Sequence, residues 1–486
     1  MIQVAVMGYG TVGSGVVEVI EKNKEEINKK SNEALNIKYI LDLRDFPGDP
    51  YEDKIVHDVE VILNDPEVQI ICETMGGLKP AYEFTKRALM SGKSVCTSNK
   101  ELVATHGPEL IQIAHEHTCN YLFEASVGGG IPIIRPLNYS LTAEKIDAIS
   151  GILNGTTNYI LTKMEREGAA FEEVLKEAQE KGYAERNPEA DIEGYDACRK
   201  IAILSSLMCG KNVRYQDIYT EGITKITADD FKYAKVMDCT IKLLGLAKEE
   251  NGGLYAMVSP FLISKSHPLS MVNDVFNAVC VHGNMLGDSM YYGRGAGKLP
   301  TASAVVSDVV DCARHIGKII TCFWDAEDVK LTNVDEVERA FFVRVEKAKE
   351  QEAKEWSVQI LPYLEKEKEQ RSEPPVICVE DLTMRFRIAT NNVSGIKEYL
   401  IQTLRKQMSY KELYALNHIN FNVYRGEIVG VIGTNGSGKS TILKIITGVL
   451  TPTAGEVKVD GRISALLELG AGFNMEYSGL ENVYLN

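Results

Sequence analysis

Along residues 1–140, short apolar runs alternate with stretches whose apolar positions recur every three or four residues. The runs Ile2–Met7, Ile37–Leu41, Val68–Glu73, Ser94–Thr97 and Tyr121–Glu124 predict strands, with amphipathic helices at Gly13–Asn23 and Ala81–Ser91 between them. Strand–helix alternation of this kind predicts a doubly wound parallel sheet. Near residue 145 the pattern changes: Ala143–Leu153 predicts the opening strand of a second sheet, and Phe171–Lys181, Tyr195–Cys209 and Ala302–Ile316 predict helices. Residues 344–374 are densely charged and interrupted by Pro362 and Pro374. They read as a linker, although the first half reads equally well as an exposed amphipathic helix. A new strand is predicted at Val376–Val379. The expected organisation is an α/β Rossmann-type domain (1–140), an α+β catalytic and dimerisation domain (141–335), a joint (336–374) and a P-loop nucleotide-binding fragment (375–486).

Composition narrows the class. With 44% apolar and 25% charged residues the chain is of ordinary globular type, and no apolar run reaches the 18 residues that a membrane-spanning helix requires. Residues 375–486 hold 11 basic and 10 acidic side chains, a net +1, so of the chain's −15 residues 1–374 carry −16. An acidic body is not expected to bind nucleic acid or anionic lipid. The apolar start MIQVAVMGYG has no basic region ahead of it, and the ten cysteines contain no C-x-x-C pair. Both point to the cytoplasm and to reduced core thiols rather than structural zinc.

Chemistry first appears at Gly8-Tyr9-Gly10-Thr11-Val12-Gly13, a G-x-G-x-x-G after a strand and before a helix. Glycine there allows a tight turn and close approach of the backbone to a pyrophosphate, which the helix N-terminus then stabilises. Asp42 and Arg44 end the next predicted strand. An acid there suits the ribose hydroxyls of NAD and an arginine the 2′-phosphate of NADP, so both cofactors remain open, with Arg44 favouring NADP. Asp42 follows Gly13 by 29 residues, more than the usual ~20.

Three further segments carry polar groups in unusual density. Cys96-Thr97-Ser98-Asn99-Lys100 leaves a predicted strand and brings Lys100 to the cofactor crevice. Asn154-Gly155-Thr156-Thr157-Asn158 offers amide and hydroxyl donors for a carboxylate. The segment 185–200 ends with Asp196 and Lys200 four residues apart, on one helix face.

Together with CETMGGLKPA, TSNKELVA, EASVGGGIP, ILNGTTNYIL and GRGAGKLPTASAVVSD, in this order over roughly residues 1–335, these segments resemble the homoserine dehydrogenase family. The resemblance implies a small-molecule reaction, the NAD(P)H-dependent interconversion of L-aspartate 4-semialdehyde and L-homoserine. It implies catalytic roles for Lys200, Lys100 and Asp196, with Lys200 favoured as proton donor and Lys100 as orienter. Substrate contacts would come from Glu185, Asp191, Gly155 and Thr156, and cofactor contacts from Gly8, Gly10, Thr11, Val12, Gly13, Arg44, Lys100 and Gly297. A monovalent cation (Na or K) would sit at Glu124, Val127, Gly129 and Ile131, mostly on backbone carbonyls. The family also implies a homodimer. The residue types suit the chemistry: the nicotinamide carries the hydride, while a lysine ammonium stabilises charge on the aldehyde oxygen and supplies the proton. The Gly293–Thr301 stretch reads as a loop over the nicotinamide half. Semialdehyde dehydrogenases, which share the first phosphate loop, need a nucleophilic cysteine; Cys198, beside Lys200, reads instead as a buried helix thiol. Arg339–Val345 is the candidate first strand of an ACT-type regulatory domain, but the rest of that pattern does not follow, which argues against feedback control through it.

A second phosphate loop stands at Gly433-Thr434-Asn435-Gly436-Ser437-Gly438-Lys439-Ser440, between the predicted strand Ile428–Ile432 and a helix over Thr441–Gly448. Lys439 would reach the β and γ phosphates, and Ser440, next to Thr441, would hold magnesium. This part resembles ABC-transporter ATPases of the polysaccharide or teichoic-acid export type, with Tyr410 or Tyr414 as the candidate adenine platform. The signature, Walker B and switch-histidine motifs are not among the 486 residues. The expectation is weak ATP–Mg binding at most, no hydrolysis and no engaged membrane subunit.

Overall fold

The computed structural model describes residues 1–250, 252–334, 375–389, 410–423 and 439–461. It divides into two units, Met1–Phe342 and Val343–Asn486.

The first unit opens with a six-stranded, all-parallel sheet: β1 (Ile2–Met7), β2 (Leu35–Leu41), β3 (Ile55–Val56), β4 (Val68–Glu73), β5 (Ser94–Thr97) and β6 (Tyr121–Leu122), in the order β3-β2-β1-β4-β5-β6. This is the Rossmann order, in which the chain reverses direction across the sheet between β1 and β4 and opens a crevice there. Helices α1 (Thr11–Lys22), α2 (Lys24–Ser31), α3 (Val59–Leu63), α4 (Ala81–Met90) and α5 (Lys100–Glu116) connect the strands. The strand expected to reach Glu124 stops at Leu122. Glu124 turns into a short 3-10 segment, and its carboxylate accepts the amides of Ile133, Ile134 and Arg135 at 2.6, 3.0 and 2.7 Å.

The second sheet is mixed: β7 (Ile146–Ile152), β8 (Tyr219–Thr220), β9 (Cys239–Glu250), β10 (Gly253–Ser264), β11 (Phe276–Gly283) and β12 (Gly287–Arg294), in the order β12-β11-β7-β9-β10-β8. Only β8 pairs in parallel there, and β7, β9, β10, β11 and β12 pair antiparallel. It carries α6 (Gly155–Glu167), α7 (Phe171–Glu180), α8 (Glu189–Ile192), α9 (Tyr195–Cys209) and α10 (Ala228–Val236). The last helix of the unit, α11 (Lys298–Arg314), starts four residues earlier than its apolar periodicity suggests. Pro300 fits this first turn because the amide it lacks would have no helical partner there. Ala302, Val305, Val306 and Val309 of α11 share one apolar cluster with Val4, Val16 and Ile20, so this late helix packs back on the first βα unit.

In the second unit β13 (Ile377–Ala389) lies between β14 (Tyr410–Val423) and β15 (Ala454–Val459) in an antiparallel sheet, and α12 (Lys439–Ile446) packs Ile442 and Ile445 against Leu382 and Leu416. The candidate ACT strand Arg339–Val345, the joint 336–374, the predicted strand Ile428–Ile432 and Gly433, Gly436 and Gly438 lie outside the described residues, as does the side chain of Tyr410. Lys439, Ser440 and Thr441 open α12, and Tyr414 is exposed on β14.

Candidate functional site

The glycine turn follows β1 without a break. Gly8 has φ of 95° and donates its amide to Leu41 O at 2.8 Å. Gly10 is the N-cap of α1; no side chain caps this helix and no acid lies in its first turn. The leading amides therefore have neither a helical carbonyl nor a side-chain acceptor, the arrangement that receives a phosphate. A Cβ on Gly13 would stand 1.8 Å from Gly8 O, whereas one on Gly10 would meet nothing within 4 Å. The first contact is what lets the turn close, and the open space above Gly10 fits a dinucleotide.

At the end of β2, Asp42 accepts the Tyr9 amide at 2.9 Å and a two-point ion pair from Arg44, Nε to Oδ1 at 2.9 Å and Nη2 to Oδ2 at 3.0 Å. That pairing, together with backbone donors, holds the Asp42 carboxyl well below the usual range against the opposing effect of burial. Arg44 itself is largely exposed.

The chemical centre forms where three helices begin. Asn99 caps α5, its Oδ1 accepting the Leu102 amide at 3.1 Å, and thereby presents Lys100 as the first helical residue. Asn154 caps α6 through Thr157 N at 2.9 Å. Gly194, at φ of 83°, starts α9, which carries Asp196 in its first turn and Lys200 one turn on. Asp196 Oδ1 pairs with Lys100, and Asp196 Oδ2 pairs with Lys200 Nζ at 2.7 Å. Lys200 Nζ also donates to Leu153 O at 2.7 Å. The amide of Asn154 donates to Asp191 Oδ1 at 2.8 Å and to Asp196 Oδ2 at 2.9 Å, closing the cluster.

Burial sorts these groups. Asp196 is 3% exposed, and burial alone would raise its pKa, but Lys200 and Lys100 reverse this and keep it ionised. Lys200 is shifted down by its own burial, with Asp196 pulling the other way. Lys100 is also lowered by burial, yet Asp196 and Asp191 outweigh it and leave it above the ordinary lysine value. Asp191 is raised, by burial first and then by the charge of Asp196. One lysine thus stays charged while the other is brought nearer to neutral pH.

Of the residues expected from sequence, Lys100, Asp191, Asp196 and Lys200 meet in one cluster, and Gly155 and Thr156 stand beside it at the start of α6. The Thr156 hydroxyl is already engaged, donating to Tyr183 O at 2.6 Å. Glu185 is exposed on the turn after α7. Gly297 caps α11 with φ of 119°. Val127, Gly129 and Ile131 lie in a buried turn next to the capped Glu124 carboxylate. Cys198 is buried, its Sγ donates to Tyr215 O at 3.3 Å, and burial pushes its thiol up, the opposite of an activated nucleophile. Asn154 was not singled out from sequence on its own, though an Asn directly before a Thr-Thr helix start is a capping signal. Glu73 was also missed. It is fully buried at the end of β4 and accepts Thr97 Oγ1 at 2.7 Å, tying the crevice ends of β4 and β5 together.

A Rossmann-ordered sheet with an uncapped glycine turn, beside a buried lysine–aspartate–lysine cluster, belongs to an NAD(P)-dependent oxidoreductase. Residues 8–124 match the family model described as "Homoserine dehydrogenase, NAD binding domain", and residues 132–310 match the model "Homoserine dehydrogenase". The chain belongs to the homoserine dehydrogenase family. It is 43% identical over 319 residues to the homoserine dehydrogenase of Bacillus subtilis (strain 168), covering 65% of this chain and 73% of that protein. It is 45% identical over 317 residues to that of Synechocystis sp., covering 64% and 73%. Among solved structures, a homoserine dehydrogenase from Thiobacillus denitrificans matches with a TM-score of 0.66 at 39% identity, covering 69% of this chain and 80% of that one. A hyperthermophilic archaeal homoserine dehydrogenase in complex with NADPH matches at 0.55 and 27%, covering 64% and 97%. Residues 416–468 separately match the ABC transporter family model. The activity is that of a homoserine dehydrogenase, with the ABC-type segment a short fragment beside it.

Proposed function

We propose that Lys200 is the group that exchanges a proton with the substrate oxygen, that Asp196 orients it, and that Lys100 remains a fixed positive charge beside that oxygen. The observation that carries this reading is the division of Asp196 between two lysines of opposite pKa displacement. A proton donor works best with a pKa near the working pH, and an electrostatic stabiliser works best when permanently charged. A nicotinamide nucleotide, when bound, supplies or accepts the hydride. Gly8, Gly10, Thr11, Val12 and Gly13 would hold its phosphates and Arg44 its adenosine end, which favours NADP; Gly297 would border its nicotinamide end. Asp191 and, from the exposed turn, Glu185 would select the substrate ammonium. Gly155 and Thr156 would receive the carboxylate at the start of α6.

The hard, uncharged oxygens of Val127, Gly129 and Ile131 suit a sodium or potassium ion rather than a transition metal. The bonds of that turn run from Ile131 N to Gly128 O at 2.9 Å and from Gly130 N to Arg294 O at 3.1 Å. They leave those three carbonyls without an amide among the described residues. A homodimer is supported by the second sheet, which exposes Met290 and Tyr292 on one face. All ten cysteines are free, which supports a reducing compartment such as the cytoplasm. The test is NADPH oxidation by the full chain with L-aspartate 4-semialdehyde. Turnover is expected in the unmodified chain and a loss of about 10²–10⁴ in Lys200→Ala; a variant that retains full turnover would sink the assignment.

A further inference from the structure

Strand β11 is apolar on the side that faces α6, except at one position. Asn277 is 1% exposed, and neither its Nδ2 nor its Oδ1 has a hydrogen-bond partner among the described residues. A buried amide without partners is costly, and such groups in native proteins usually mark a ligand or water.

What surrounds the amide indicates which ligand. On one side is the N-terminus of α6: a Cβ on Gly155 would stand 3.4 Å from Asn277 Oδ1. The amides of Gly155 and Thr156 open a 13-residue helix, have no helical carbonyl to bond, and sit at its positive end. On the other side is Gly295, where a Cβ would fall 2.0 Å from Asn277 Nδ2. The position is also fixed from behind. Asn158 Nδ2 donates to the carbonyls of Val272, Asp274 and Phe276 at 3.2, 3.0 and 3.0 Å, and Lys242 Nζ donates to Val272 O at 2.7 Å and Asn158 Oδ1 at 3.2 Å. The chain leading into β11 is thus held to α6 by buried polar bonds, which fixes the amide of Asn277 beside the first turn of that helix.

We propose that Asn277 is a substrate-binding residue: with its side-chain amide turned to bring Nδ2 toward α6, it donates to the carboxylate of the amino-acid substrate as that carboxylate meets the amides of Gly155 and Thr156. This rests on the reading of the lysine–aspartate–lysine cluster as the reacting centre, to which Asn154 joins the same turn through its bonds to Asp191 and Asp196. An anion at a helix start, with one side-chain donor from a facing strand, has its two oxygens held in one plane. That orients the remainder of the molecule toward Lys200. Gly295 covers the amide, so the ligand reaches it when the loop Gly293–Gly297 lifts, and the glycines there permit this.

The experiment compares Asn277→Ala, Asn277→Ser and Asn277→Asp with the unmodified full chain in homoserine oxidation with NADP. Because the native amide has no partner among the described residues, Asn277→Ala and Asn277→Ser should fold with little change in Tm. The expected result is a KM for L-homoserine raised at least tenfold in Asn277→Ala and further in Asn277→Asp, where a carboxylate faces the substrate's own. Asn277→Ser, which keeps one donor, should fall between the unmodified chain and Asn277→Ala. The KM for NADP should stay unchanged and kcat within about threefold. An unchanged KM for L-homoserine, a parallel rise in both KM values, or unfolding of both Asn277→Ala and Asn277→Ser would overturn the proposal. Calorimetric binding of L-homoserine to the same proteins separates the two readings. If the unmodified chain does not turn over, the assignment of the lysine cluster fails, while a loss of L-homoserine binding in Asn277→Ala still upholds this contact.

Discussion

Lys200 Nζ lies 2.7 Å from Asp196 Oδ2, one helical turn away on the buried face of α9. The same carboxylate binds Lys100 through its other oxygen. One anion thus stands between two cations, with Asp191 as a second carboxylate beside them. The arrangement also gives Lys200 two opposing influences: burial lowers its pKa and Asp196 raises it.

That balance predicts a pH signature. Oxidation of homoserine requires Lys200 neutral, so kcat/KM should rise with pH through the Lys200 pKa, below the usual lysine value. Reduction of the semialdehyde requires it charged, so that rate should fall through the same pKa. Asp196→Asn removes the influence that raises the pKa, so both midpoints should move to lower pH, and the maximal rate should drop by roughly 10²–10³. A midpoint that moves to higher pH, or does not move, would rule out Asp196 as the orienting charge.

Much of this centre was legible in the sequence because its signals are local. Asp196 and Lys200 are linked by helical spacing, Gly8 to Gly13 by a turn motif, and the parallel strands by their apolar runs. What escaped was carried by long-range contacts. Helix α11 packs on α1 across nearly the whole unit, which no periodicity reveals. Glu124 reads as the end of a strand until its carboxylate is seen on the amides of Ile133 to Arg135. Asn277 and Lys242 did leave a trace, each a polar residue directly flanked by apolar ones within a strand, but only the fold shows what surrounds them.

Gly10 and Gly13 should separate cofactor binding from folding. Gly10→Ala places its Cβ in open space at φ of −84°, so the fold should hold while the approach of the pyrophosphate is obstructed. The KM for NADPH should rise about tenfold with Tm unchanged, in line with the loss of roughly one good contact. Gly13→Ala drives a Cβ into Gly8 O and should lower Tm as well. Thermal melts beside NADPH titrations decide it, and equal melting losses in the two variants would contradict the distinction.

Arg44 should set coenzyme preference. It is exposed and already paired with Asp42, so Arg44→Ala leaves Asp42 free to face a ribose. The KM for NADPH should rise by about tenfold or more while that for NADH falls or stays level, since an arginine–phosphate pair is charge-assisted and a lone acid prefers hydroxyls. Equal changes for the two coenzymes would show that the 2′-phosphate is bound elsewhere.

Lys242 should make stability depend on alkaline pH. It is 1% exposed, its hydrogen bonds among the described residues run to the uncharged oxygens of Asn158, Val272 and Asn273, and burial lowers its pKa to about 8. Between that value and the ordinary lysine pKa of about 10.4, the unfolded chain binds the proton and the folded chain does not, so folding becomes more favourable as pH rises. Below pH 8 both states are charged, and the folded state bears the full cost of the buried ammonium. Lys242→Met lacks this linkage. The stability of the unmodified chain relative to the variant should therefore climb from pH 8 to 10.5 by up to about 3 kcal/mol, at 1.36 kcal/mol per pKa unit. Denaturant unfolding of both proteins across that range measures it. A difference that stays flat would mean that Lys242 keeps an ordinary pKa in the folded protein, and one that shrinks would mean that its charge is stabilised there.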